Sequence, residues 1–195
     1  AMKKDMQDFC TLLYDLNENK NDIIVDTSIY TKVDAPSLEK TIFFGDDDYY
    51  NILLEMCKNS SKHDLNLLMG HYFFLGNEKI FTNNFSHIID EEEYVETIQN
   101  SKYLLTGSLQ AALESLACGN NPIILKREDK EYNEELISSL NLPIIYEKDL
   151  NTILEKFEEI INNYPQITNF NITNLDYIVN EVKEKVNLFT KLSGI

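Results

Sequence analysis

Leu104-Leu105-Thr106-Gly107-Ser108-Leu109-Gln110-Ala111-Ala112-Leu113-Glu114-Ser115-Leu116-Ala117-Cys118-Gly119-Asn120-Asn121-Pro122 is the stretch on which the fold turns. A short apolar run from Tyr103 ends in a Thr-Gly-Ser turn. The turn opens directly onto a helix, Leu109 to Cys118, which Gly119 stops. Pro122 to Leu125 is the next apolar strand. Strand, turn, helix, strand is the repeating unit of a parallel sheet.

The same alternation extends both ways. Downstream, a helix is expected over Glu131 to Leu140, a strand over Pro143 to Tyr146 and a helix over Leu150 to Ile161. After Tyr164-Pro165 a polar stretch leads to a final amphipathic helix, about Leu175 to Leu192. Upstream, Thr41 to Phe44 reads as a strand ended by Gly45, Tyr49 to Cys57 as a helix, and Leu65 to Met69 as a strand ended by Gly70. His71 to Phe85 reads as loop with one short element, Phe85 to Ile89 as a strand, and Asp90 to Gln99 as a helix. The acidic start of that helix suits the positive end of its dipole. Before these lie a helical stripe (Met6, Phe9, Leu12, Leu13, Leu16), a polar break at Asn17 to Asn21, a β-branched run Ile23 to Val25 and a loop at Ala35-Pro36-Ser37.

Continuous apolar strands separated by helices require a parallel sheet covered on both faces. With right-handed crossovers this predicts an α/β, doubly wound, Rossmann-like fold. Residues 1–40 are read as an N-terminal helix and strand extension, and residues 41–195 as the domain proper. Ligands of such sheets sit beyond the carboxyl ends of the strands. Here those ends are Gly45 to Asp48, the loop after Met69, Ile89 to Glu91 and Thr106 to Gln110.

The composition narrows the partners. With 195 residues, 43% hydrophobic and 26% charged, the chain suits one folded domain rather than disorder. The net charge of −16 opposes nucleic acid and anionic lipid, which need a basic surface. No apolar run approaches the roughly 20 residues that span a bilayer. Ala1 to Phe9 is mostly charged and polar where a secretory signal is apolar, so a cytoplasmic location is expected. Cys10, Cys57 and Cys118, like His63, His71 and His87, lack metal-ligand spacing and are expected to bind no metal.

At the Thr106 to Gln110 turn, free N–H groups and small hydroxyls at a helix N-terminus suit a phosphate or diphosphate. The competing reading is that Thr106 or Ser108 simply caps the helix and Glu114 is solvated. Glu114 is placed to accept ribose hydroxyls, if its side chain faces the pocket.

The stretch resembles the nucleotide-sugar-binding C-terminal domain of GT-B-fold proteins. It is similar to that of peptidoglycan GlcNAc transferases and of UDP-sugar hydrolases of pseudaminic acid biosynthesis. The shared pattern is carried by Ile88-Ile89-Asp90, by Thr106-Gly107-Ser108, by Glu114-Ser115-Leu116-Ala117-Cys118-Gly119 as Glu-x-x-Ala-x-Gly, and by Pro122. It covers about Glu39 to Phe157. The resemblance implies that Glu114 holds the ribose and that Thr106, Gly107, Ser108, Leu109 and Gln110 lie along the diphosphate. It also implies that the backbone near Ile89 receives the uracil and that Gly45 belongs to the same site. UDP-sugar is the implied ligand, with no cofactor.

Two departures stand out. Where the family has a Gly-rich loop, this chain has Gly45-Asp46-Asp47-Asp48-Tyr49-Tyr50. Three carboxylates there either cap a helix, hold a divalent ion, or mark lost diphosphate binding. The acceptor-side domain of the family also has no counterpart in Ala1 to Lys40, so no catalytic residue can be assigned. The chain is therefore expected to act with a separate acceptor-domain subunit or as a homo-oligomer; the apolar face of the final helix, Leu175 to Leu192, either packs on its own domain, the favoured reading, or docks such a partner. The other expectations are a degenerate, non-catalytic accessory module, or unrelated chemistry with Asp46 and Asp47 as phosphoacceptor or metal ligands.

Overall fold

The computed structural model describes residues 22–45, 53–55, 64–71, 78–146, 150–168 and 170–193. Its strands are β1 (Asp22–Val25), β2 (Leu38–Phe43), β3 (Asn66–Leu68), β4 (His87–Ile89), β5 (Ser101–Thr106), β6 (Asn121–Leu125), β7 (Ile144–Ile145) and β8 (Asn171–Asn174). The helices are α1 (Glu78–Asn84), α2 (Tyr94–Asn100), α3 (Leu109–Ala117), α4 (Glu134–Leu140), α5 (Leu150–Asn162) and α6 (Leu175–Ser193).

Six strands form one parallel sheet in the order β4-β3-β2-β5-β6-β7. Counted from β2, this is the doubly wound Rossmann order 3-2-1-4-5-6. Neighbouring residues of the central strands serve opposite faces, as the pleat requires. Ile42 and Leu105 pack with Phe81, Phe85, Ile153 and Phe157, under α1 and α5. Phe43 and Leu104 pack with Leu68, Ile98 and Ala111, under α2 and α3. Burial on both sides explains why these strands read as unbroken apolar runs. Several polar groups in this core are bonded: Ser101 Oγ donates to Thr97 O at 2.6 Å and shares a hydrogen bond with Thr41 Oγ1 at 2.8 Å. Asn120 Nδ2 donates to the carbonyls of Ile98 and Gln99, tying the end of α3 to the end of α2.

β1 takes no place in this sheet. It pairs in parallel with β8, from Asp22 opposite Asn171 to Val25 opposite Asn174. Its buried side chains Ile23 and Val25 lie on Leu113 and Leu116 of α3 and on Ile137 and Leu140 of α4. The stretch after Pro165 read as merely polar, because Asn171-Ile172-Thr173-Asn174 carries one apolar side chain in four. Its strand form comes from pairing to β1, a long-range contact without local signal. Glu91–Glu93 form a 3-10 turn ahead of α2, so the α-helix starts later than the acidic run suggests.

α6 follows β8 directly and keeps Ile178, Val179 and Val182 half-buried, whereas Leu175, Tyr177, Val186 and Leu188 are exposed. Among the described residues no helix is long and apolar enough to cross a membrane. The expected helix Asp5 to Leu16 lies outside the described residues, as do Cys10, Cys57 and His63.

Leu105 is fully buried at the centre of the sheet. Leu105→Ala should therefore lower unfolding stability by about 2–5 kcal/mol, read as a shift in the urea midpoint at unchanged slope.

Candidate functional site

The strand order reverses between β2 and β5, and their carboxyl ends carry Phe43-Phe44-Gly45 and Thr106-Gly107-Ser108. The two ends approach closely: Gly107 N donates to Phe43 O at 3.2 Å. A Cβ on Gly107 would lie 2.5 Å from Phe44 O and 2.7 Å from Arg127 Cδ, so only glycine fits. Gly45 has φ +123°, a backbone state that strains any other residue.

Both hydroxyls of the turn are engaged in capping. Thr106 Oγ1 accepts from Ser108 N at 3.0 Å, and Ser108, the N-cap of α3, accepts from Ala111 N at 3.3 Å. Ala112 N returns to the Ser108 carbonyl. The first-turn N–H groups left over from this capping are those of Leu109 and Gln110.

Glu114 lies one turn further along and is 7% exposed. Its Oε2 accepts from the Tyr94 hydroxyl at 2.6 Å and its Oε1 from Gln110 Nε2 at 3.0 Å. Burial, with the Glu114 carboxylate beside it, raises the pKa of the Tyr30 hydroxyl. Burial and the same carboxylate push the Cys118 thiol up to about 11, so that it stays protonated and unreactive at neutral pH. Glu114 is thus set among Tyr30, Tyr94, Gln110 and Cys118, with a protein donor on each oxygen.

Gly45, Thr106, Gly107 and Ser108 come together at the switch point, and Gln110 joins them to Glu114. Ile89 ends β4, with β3 and β2 between it and Thr106. It packs with the cluster of Phe43, Leu68 and Leu104. Asp46, Asp47, Asp48, Tyr49, Tyr50, Tyr72, Phe73 and Phe74 lie outside the described residues. Among the described residues no group of three or more His, Cys, Asp or Glu is arranged to hold a metal.

Sequence reasoning overlooked Arg127. It follows β6, and its side chain, 1% exposed, reaches across the ends of β5 and β2. Nη1 donates to Phe44 O at 3.1 Å, and the guanidinium lies 4.5 Å from the Phe44 ring centre. Nε and Nη2 donate to the two oxygens of Asp129 at 2.9 and 2.6 Å, a bidentate pair. Arg127 N donates to the Tyr132 hydroxyl, which donates to Gly107 O at 2.7 Å. One signal was available: Arg127 is the single arginine beside 16 lysines, and it sits just past a strand end.

A cleft among the described residues lies elsewhere. About 630 Å³ in volume, it is lined by Lys40, Asp64, Leu65, Glu155, Glu158 and others, near the starts of β2 and β3.

Arg127 holds the Asp129 carboxyl below its ordinary value of 3.8. A lowered folded pKa contributes stability that is complete above the unfolded pKa and is lost as pH falls through the folded one. Asp129→Asn should flatten the loss of urea stability below about pH 4, while leaving the profile above pH 6 unchanged in shape. Gly107→Ala should cost about 1–3 kcal/mol in the same assay, because the methyl meets backbone and Arg127 together. No protein-family model matches the chain, and no curated protein matches it in sequence.

Proposed function

We propose that the chain binds a nucleotide sugar, a UDP-sugar, at the switch point between β2 and β5. In this reading it is the donor-side domain of a glycosyltransferase or UDP-sugar hydrolase of bacterial surface-glycan biosynthesis, and it works with an acceptor-side domain or partner subunit. One observation carries it: the strand order reverses where Thr106-Gly107-Ser108 opens onto α3. A helix N-terminus at such a reversal favours a phosphorylated ligand. The Glu-x-x-Ala-x-Gly pattern from Glu114 to Gly119, with its resemblance to GT-B C-terminal domains, directs the choice to UDP-sugars. Leu175 and Val186, exposed on one stripe of α6 with the half-buried Ile178, Val179 and Val182, supply the apolar contact for the partner.

A second reading, a non-catalytic accessory module of the same fold, is favoured by the state of Glu114. Both its oxygens are taken by Tyr94 and Gln110. A ribose would have to share an oxygen already bonded to Tyr94 or Gln110, or displace one of them.

Calorimetric titration with UDP and UDP-GlcNAc separates the two. Saturable binding weakened by about tenfold or more in Glu114→Ala is the expected result. Heats equal to dilution for both ligands would sink the UDP-sugar reading and leave the accessory module.

A further inference from the structure

A chain that uses lysine for 16 of its 17 basic residues places its one arginine, nearly without exposure, at the strand reversal. Packing does not require this, since a buried ion pair is often replaceable by apolar side chains at no loss of stability. An arginine offers what lysine lacks: a planar fork that receives two oxygens of one anion at once. In Arg127 the Nε–Nη2 edge is that fork, and both Asp129 oxygens fill it.

We propose that Asp129 stands in for the phosphoryl oxygens of the ligand, and that a diphosphate bound at the switch point displaces it from the Arg127 fork. The proposal rests on the nucleotide reading above and names the chemical group and the side chain that receives it. Three features suit the exchange. Nη1 is anchored separately on Phe44 O and the guanidinium carbon lies over the Phe44 ring, so the guanidinium keeps an anchor when the fork changes partner. Asp129 is on the outer side of the pair, its side chain 17% exposed against 1% for Arg127, so leaving the fork returns the carboxylate to water. The Gly107 turn, against which the Arg127 side chain lies, is also the start of α3, whose Leu109 and Gln110 N–H groups remain after capping. An internal carboxylate also sets a threshold. A multiply charged diphosphate competes for the fork, whereas a singly charged anion meets an equal competitor on a chain of net charge −16.

The test titrates the full chain, Asp129→Asn and Arg127→Lys with inorganic pyrophosphate, UDP and uridine at constant ionic strength. Asparagine keeps the shape but removes the competing charge. Asp129→Asn should bind pyrophosphate and UDP about tenfold tighter or better with uridine unchanged, and Arg127→Lys, at a temperature where circular dichroism shows it folded, should lose most of the pyrophosphate affinity. An Asp129→Asn chain that binds pyrophosphate no better than the unaltered one, including the case where neither binds, overturns the exchange. The nucleotide reading is judged apart: UDP binding that Asp129→Asn leaves unchanged keeps that reading and removes this one. Strengthened pyrophosphate binding, with UDP no tighter than pyrophosphate, does the reverse. Should Asp129→Asn not fold, the unaltered chain decides by NMR. The Asp129 carboxyl should return to an ordinary pKa under saturating pyrophosphate, and no change or no binding overturns the proposal.

Discussion

The close approach of Phe44 and Gly107 governs the described structure. β2 and β5 pair over five registered residues from Leu38 opposite Ser101 to Phe43 opposite Thr106, at the centre of the six-stranded sheet. From this pair the chain winds outward in both directions, through β3 and β4 on one side and β6 and β7 on the other. Beyond the last pair, Gly107 N still bonds Phe43 O, and the Arg127 side chain lies against both ends. A single methyl at position 107 would disturb three segments at once.

Burying a guanidinium in that position is costly unless each donor finds an acceptor. Asp129 takes the fork, Phe44 supplies a carbonyl and a ring face, and Tyr132 links the Arg127 backbone to the Gly107 carbonyl. Strand ends β2, β5 and β6 are thereby cross-tied by polar contacts just where their apolar packing stops. Glu114 has a parallel arrangement on the other flank of α3, where Tyr94 and Gln110 satisfy its carboxylate. Tyr94 also stands edge-on to Phe43, with ring centres 5.2 Å apart, so the carboxylate network is anchored in the core.

Parts of the architecture were legible for distinct reasons. Leu104-Leu105 and Ile123-Ile124 announced strands buried on both faces, because a run without polar alternation has no solvent side. Thr106-Gly107-Ser108 announced a turn into a helix, and Ser108 caps that helix, the alternative to a phosphate-binding role for its hydroxyl. β8 was hidden, because Asn171, Thr173 and Asn174 carry no apolar pattern and become a strand only through β1, nearly 150 positions away in the chain. Arg127 was hidden for a similar reason. Nothing next to it in sequence reveals that its partners include Phe44, 83 positions earlier.

The sequence by itself determined the alternation of strands and helices, the turn chemistry at Gly107 and the net acidity. Each of these depends on local periodicity, backbone freedom or summed charge, which a linear reading contains. The strand order, the reversal between β2 and β5, the separate β1–β8 pair and the destinations of Arg127 and Glu114 were decided only by tertiary structure. Those depend on which surfaces meet in space, and a side chain's hydrogen-bond partners are known only once the backbone that carries them has been folded alongside.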